Sequence, residues 1–124
     1  MDRSSVPFDI KERTFLFGVR IVGLVNVLPN SIAGIEVGRQ VIRSGTSVGA
    51  NAEEADGAES RKDFIHKMSI ARKEARETRY WLRIIQTSLL DNTEIADLIQ
   101  ESDQLVRIIS KIIANARKSM TKSQ

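Results

Sequence analysis

No cysteine occurs in these 124 residues. That removes disulfides, thiolate metal sites and cysteine nucleophiles, and it suits a reducing cytosol. Proline is nearly absent too. Pro7 and Pro29 bracket one amphipathic segment and leave the rest of the chain without its strongest helix breaker. Aromatic residues make up 5% of the chain, so the core has to be aliphatic. No apolar run approaches the ~20 residues that span a bilayer. The opening MDRSSVPFD carries no apolar signal core. A cytoplasmic protein without membrane contact is expected. Acidic residues stop at Asp103, whereas Arg107, Lys111, Arg117, Lys118 and Lys122 follow. There is no internal repeat, no low-complexity tract and no strand-like alternation.

What remains is 41% hydrophobic and 28% charged, the balance of an ordinary globular domain. It is rich in Ile, Leu, Ala, Glu, Lys and Arg, the residues of helices. The net charge of +3 permits a polyanionic partner without demanding one. Four amphipathic segments with short connections predict an all-α domain over 1–124, an antiparallel up-down-up-down four-helix bundle. The helices are expected at about 8–28, 35–56, 61–90 and 93–117, with the tail 118–124 frayed. Pro29-Asn30-Ser31 ends the first, and Gly57 breaks the second. Ser60 with Asp63 caps the third, and Asn92 caps the fourth.

The second segment is unusual. Gly38, Val41, Gly45, Val48, Ala52 and Ala55 fall at spacings of three and four, a stripe of very small residues. Its glycines each cost roughly 1 kcal/mol relative to alanine in a helix, a cost offset most simply by close approach of a neighbouring helix. Arg43, Ser47, Asn51 and Glu54 form a second, polar stripe on the other side. In the third segment Ile70, Glu74, Glu77 and Trp81 form a stripe beside the apolar seam. Carboxylates placed among large apolar side chains need partners. Arg43, Ser47 and Asn51 are the candidates, giving a polar network of Arg43, Ser47, Asn51, Glu54, Glu74 and Glu77 within or between subunits. The alternative is that both glutamates face water.

Arg72, Arg76, Arg79 and Arg83 line another edge of the third segment at spacings of four, three and four. Such a row suits phosphates. Equally, it can be a solvated flank neutralised by Glu74, Glu77 and the acidic stretch 53–63. Catalysis and cofactors find no footing. A di-iron bundle needs paired Glu-x-x-His motifs, and here there is a single Asp63-x-x-His66. No Ser/His pairing is readable, and the glycine-rich IAGIEVGRQ lacks the strand–turn–helix setting and GK[ST] ending of a phosphate loop. No metal, no cofactor and no enzymatic activity are expected.

Two stretches, QVIRSGTSVGANAEEA (40–55) and DFIHKMSIARKEARETRYWL (63–82), make the chain resemble the small four helix bundle protein family, also called the 23S ribosomal RNA intervening-sequence protein family. The likeness runs from about Phe8 to Ile113. Arg43, Ser47, Val48, Asn51 and Glu54 match its second-helix signature. Phe64, Lys73, Glu74, Glu77, Tyr80, Trp81 and Leu82 match its third-helix signature. Ala52 departs from it, since relatives often carry a bulkier residue there. The resemblance implies a four-helix bundle assembling as a ring-shaped homo-oligomer, typically a pentamer. Some members are encoded inside insertions in ribosomal RNA genes. A related group serves diversity-generating retroelements, where a basic ring contacts nucleic acid and a reverse transcriptase. The partners to expect are therefore further copies of the chain, RNA or DNA, and a reverse transcriptase or ribosomal component. Arg72, Arg76, Arg79, Arg83, Arg107, Lys111 and Lys118 are the candidate nucleic-acid contacts. The competing reading is an oligomer that binds only protein.

Overall fold

The structure, a computed structural model, describes residues 6–122. Four helices run through them: α1 (Phe8–Asn26), α2 (Ile32–Asp56), α3 (Arg61–Ser88) and α4 (Thr93–Lys122). The caps are local chemistry. The Ser60 Oγ accepts the Asp63 N–H at 3.0 Å, and the Asn92 Oδ1 accepts the Ile95 N–H at 2.9 Å. Gly57 closes α2 at φ −99°, so its freedom at positive φ is not used there.

Four boundaries differ from the sequence expectation, the slightest being the end of α3 at Ser88 rather than about 90. α1 stops at Asn26, before Leu28, and α2 begins at Ile32 rather than near Ile35. Ser31, read as part of a stop, is the N-cap of α2 and accepts the Gly34 N–H at 3.0 Å. Gly34 is needed there, because a Cβ on it would lie 2.0 Å from the Pro29 carbonyl oxygen. At the other end, α4 continues through the tail expected to fray, as far as Lys122. That tail contains no glycine or proline to break a helix. Residues 123–124 lie outside the described ones.

Sequence neighbours pack antiparallel. α1 meets α2 where the Asp56 Oδ1 accepts the Val6 N–H at 2.8 Å. α2 meets α3 from Glu54–Lys67 at one end to Arg43–Glu77 nearer the other. α3 meets α4 at Arg72–Ser110 and Arg79–Asp103. α4 returns to α1 through the ion pairs Arg13–Glu101 and Arg20–Glu94. Diagonal helices stand farther apart than neighbouring ones, so the cross-section is a square, with its thinnest contact between α1 and α4.

The core is the aliphatic one that scarce aromatics require. Phe17 and Ile21 of α1, Val41 and Val48 of α2, Met68 and Leu82 of α3, and Leu105 and Ile109 of α4 are all buried. Each such side chain contributes about 1.5–3 kcal/mol of burial. Near the end of α4, Ile113 is buried and Ile112 only half-buried. The small stripe of α2 lies fully inside. It lets α1 come so close that a Cβ on Gly45 would sit 2.8 Å from the Ile21 Cγ1, and one on Gly49 3.1 Å from the Thr14 carbonyl oxygen. Close backbone approach therefore offsets the helical cost of these glycines.

Candidate nucleic-acid interface

Two polar constellations leave the core on opposite flanks of α3. On the α2 flank, Arg43 bridges the two glutamates. Its Nη1 donates to the Glu74 Oε1 at 3.3 Å and its Nη2 to the Glu77 Oε2. The Trp81 Nε1–H donates to the same Glu77 oxygen at 3.1 Å. Glu74 is buried and Glu77 half-buried. The Trp81 hydrogen bond first, then Arg43, holds the Glu77 carboxyl below the usual carboxylate range, while Glu77 in turn raises Arg43. Deeper on this seam the Thr78 hydroxyl donates to the Glu74 carbonyl at 2.7 Å and meets the Ser44 hydroxyl at 2.9 Å.

The expected network is thus only partly assembled. Ser47 and Asn51 do not reach the glutamates. Ser47 Oγ donates to the Arg43 carbonyl at 2.7 Å, and Asn51 Nδ2 to the Ser47 carbonyl at 2.8 Å. On a helix the preceding turn is the nearest acceptor, and both side chains are short enough to be satisfied there. Glu54 lies farther along and meets Lys67 at 3.4 Å.

On the α4 flank of α3 lie the arginines. Glu74 and Glu77 do not neutralise them, because those carboxylates point toward α2. Asp103 does so for one, lying 2.6 Å from the Arg79 Nε as an ion pair without a linear hydrogen bond. Arg72 is half-buried and donates to the Ser110 hydroxyl at 3.2 Å. Burial, then the charges of Arg76 and Arg117, lowers its pKa from the ordinary guanidinium value. Arg72 thus stands between the positive charges of Arg76 on its own helix and Arg117 on α4. Arg76, Arg83, Arg107, Lys111 and Lys118 are exposed, with no ion pair among the described residues. Arg107, Lys111 and Lys118 follow one outer stripe of α4, and Arg107 stands between Asp103 and Ser110 on the α3 side. Arg117 was not among the sequence candidates, although it is exposed on the same side of α4 as Ser110. The signal was its place seven residues beyond Ser110, which repeats every second turn on the same face.

His66 is exposed on α3, and among the described residues no three His, Asp or Glu side chains converge to hold a metal. No helix among them is long and apolar enough to cross a membrane.

Comparison with known proteins agrees with this architecture. No curated protein matches the chain. Among solved structures, a protein of unknown function from the S23 ribosomal protein family of Bacteroides thetaiotaomicron is 40% identical. The match covers 84% of this chain and 97% of that one, with a TM-score of 0.77. The model of the 23S rRNA-intervening sequence protein family matches residues 7–111. α1, α2, α3, the first two thirds of α4 and the Arg43–Glu74–Glu77–Trp81 seam thus sit inside the matched region, and the chain belongs to the 23S rRNA-intervening sequence protein family.

Proposed function

We propose that the protein is a non-enzymatic, homo-oligomeric scaffold that binds RNA along the α3/α4 seam. One observation carries the reading. Arg76, Arg83, Arg107, Lys111, Arg117 and Lys118 are exposed on α3 and α4 with no ion pair among the described residues, and Asp103 is engaged by Arg79. Unneutralised cations in a row attract a phosphate backbone, and each phosphate contact releases counterions. Arg72 and Arg79 are engaged within the chain, so they shape the surface. Arg76, Arg83, Arg107, Lys111, Arg117 and Lys118 are the contacts. Assembly multiplies the seam by the number of subunits and steepens the salt dependence.

Electrophoretic or fluorescence binding of a structured RNA, titrated from low to physiological salt, tests this. The wild type binds with affinity falling steeply as salt rises. The triple variant R76Q/R83Q/R107Q lowers the slope by about one unit per lost phosphate contact. A duplex DNA of equal length, run in parallel, separates RNA preference from general polyanion binding. Binding that is absent, or indifferent to the triple variant, leaves the second reading, a scaffold that meets only protein. The engagement of Arg72 and Arg79 inside the chain favours that reading.

A further inference from the structure

The α3/α4 seam ends in a hollow of about 580 Å³ between the first two turns of α3 and the last two of α4. That volume lies within the roughly 300–1,000 Å³ of sites that hold small molecules. Lys62 and Ile65 line it from α3, and Arg117, Met120 and Thr121 from α4. Lys62 and Arg117 are exposed with no ion pair among the described residues. Ile65 and Met120, both half-buried, give the hollow an apolar wall. The Thr121 hydroxyl donates to the Arg117 carbonyl at 3.1 Å, which leaves its lone pairs to accept from a ligand. Arg61, next to Lys62, is half-buried and its Nε has no hydrogen-bond partner, so a third cation at this end is unengaged.

Two free cations, an apolar wall and one acceptor match the chemistry of a nucleotide. Two cations around one hollow also call for more than a single negative charge. A phosphodiester within a strand carries one, whereas a terminal phosphate carries close to two at pH 7. Glu59, exposed just before the Ser60 cap and without an ion pair among the described residues, repels a strand that would run on past the hollow. We propose that this hollow seats the phosphorylated terminal nucleotide of an RNA strand whose body lies along the α3/α4 seam. The base then lies on Ile65 and against the Met120 sulfur, a contact that thioethers make well with aromatic rings. The phosphate meets Lys62 and Arg117. Arg117 joins hollow and seam, because it stands two helical turns beyond Ser110, which takes the Arg72 hydrogen bond. The inference rests on the reading of the seam as an RNA surface and names the part of the RNA that is held. A 5′ and a 3′ phosphate share this chemistry, and the experiment separates them.

One short single-stranded RNA, made with a 5′ phosphate, with a 3′ phosphate or with hydroxyls at both ends, is titrated onto the full chain by fluorescence anisotropy at fixed salt. One of the two phosphates tightens binding roughly tenfold, the scale of a single charge-assisted hydrogen bond, and so assigns the end. K62Q/R117Q weakens binding and abolishes that ratio, while circular dichroism shows unchanged helicity. R76Q/R83Q/R107Q weakens all three RNAs alike and keeps the ratio. Adenosine 5′- and 3′-monophosphate probe the hollow without the seam. One of them shifts the Met120 methyl resonance and leaves that of buried Met68 in place, whereas adenosine at the same concentration moves neither. Equal affinity for the three RNAs, an equal gain from either phosphate, or a ratio that survives K62Q/R117Q overturns the proposal. So does a Met120 signal that neither nucleotide moves. The two readings fail separately. RNA bound without preference for a phosphorylated end removes only the hollow, whereas RNA held by that end and indifferent to R76Q/R83Q/R107Q removes only the seam.

Discussion

α1 and α3 share the same inner rhythm and differ in everything outside it. Both bury an apolar row at spacings of three and four. Beyond that row α1 exposes Phe8, Phe15, Val19 and Val22, whereas α3 carries four arginines on one flank and Glu74, Glu77 and Trp81 on the other. The contrast separates two jobs on one scaffold. Core burial holds each helix in the bundle. The outer residues decide whether a helix meets another protein surface or a charged polymer. An exposed apolar strip with Lys11, Glu12 and Glu53 at one end is suited to the first, and an α3/α4 seam whose exposed cations have no ion pair among the described residues to the second.

The sharpest test of the contrast lies within α1. Phe17→Ala removes a side chain that is 1% exposed and costs about 3–5 kcal/mol in denaturant unfolding. Phe15→Ala, two residues away and outside the core, stays within about 0.5 kcal/mol. Equal effects would break the division between inner and outer faces.

A smaller effect tests the glycines. Gly45→Ala forces a methyl group to within 2.8 Å of buried Ile21, and destabilises by about 1–3 kcal/mol. Gly23→Ala on the outer side of α1 meets nothing within 4 Å, and stabilises by up to about 1 kcal/mol. Opposite signs for one chemical change would show that α1 and α2 are in contact where the small stripe places them.

The smallest effect concerns the charged seams. Glu77 and Glu94 have carboxyl groups held below their usual range, Glu77 by Trp81 and then Arg43, Glu94 by Arg20. A depressed folded-state value favours folding above the unfolded carboxylate range. That contribution is lost as pH falls through the folded value, so stability drops below about pH 4. Glu77→Gln flattens that acid limb by less than about 1 kcal/mol, the scale of a half-exposed pair. Urea midpoints between pH 7 and pH 3 measure it, and an unchanged acid limb would remove the seam from the stability of the bundle.

Much of the fold was legible because its signals are local. The seam of α3 from Phe64 to Ile85, the Ser60 and Asn92 caps and the buried stripe of α2 all follow from spacing along one helix. Ser31 shows the limit. Its hydroxyl ends nothing; it starts α2, and only the fold of the 27–31 turn around Gly34 reveals this. The site was legible in part. Arg43 meeting Glu74 and Glu77 follows from unlike stripes on consecutive antiparallel helices. That Ser47 and Asn51 turn back onto their own helix depends on a competition between equally short hydrogen bonds. The pairing of Arg79 with Asp103, and that of Arg72 with Ser110, depend on how α4 is rotated against α3.

From the residues alone follow four helices, their order and the side each turns inward, because helix propensity and a 3.6-residue period act within a dozen residues of chain. Only the packed bundle decides which charges are neutralised and which are left to a partner. A salt bridge depends on a few ångströms between helices, set by the fit of side chains such as Ile21 against Gly45. The same packing leaves the outer strip of α1 uncovered, because in a square of four helices each can bury one face and no more.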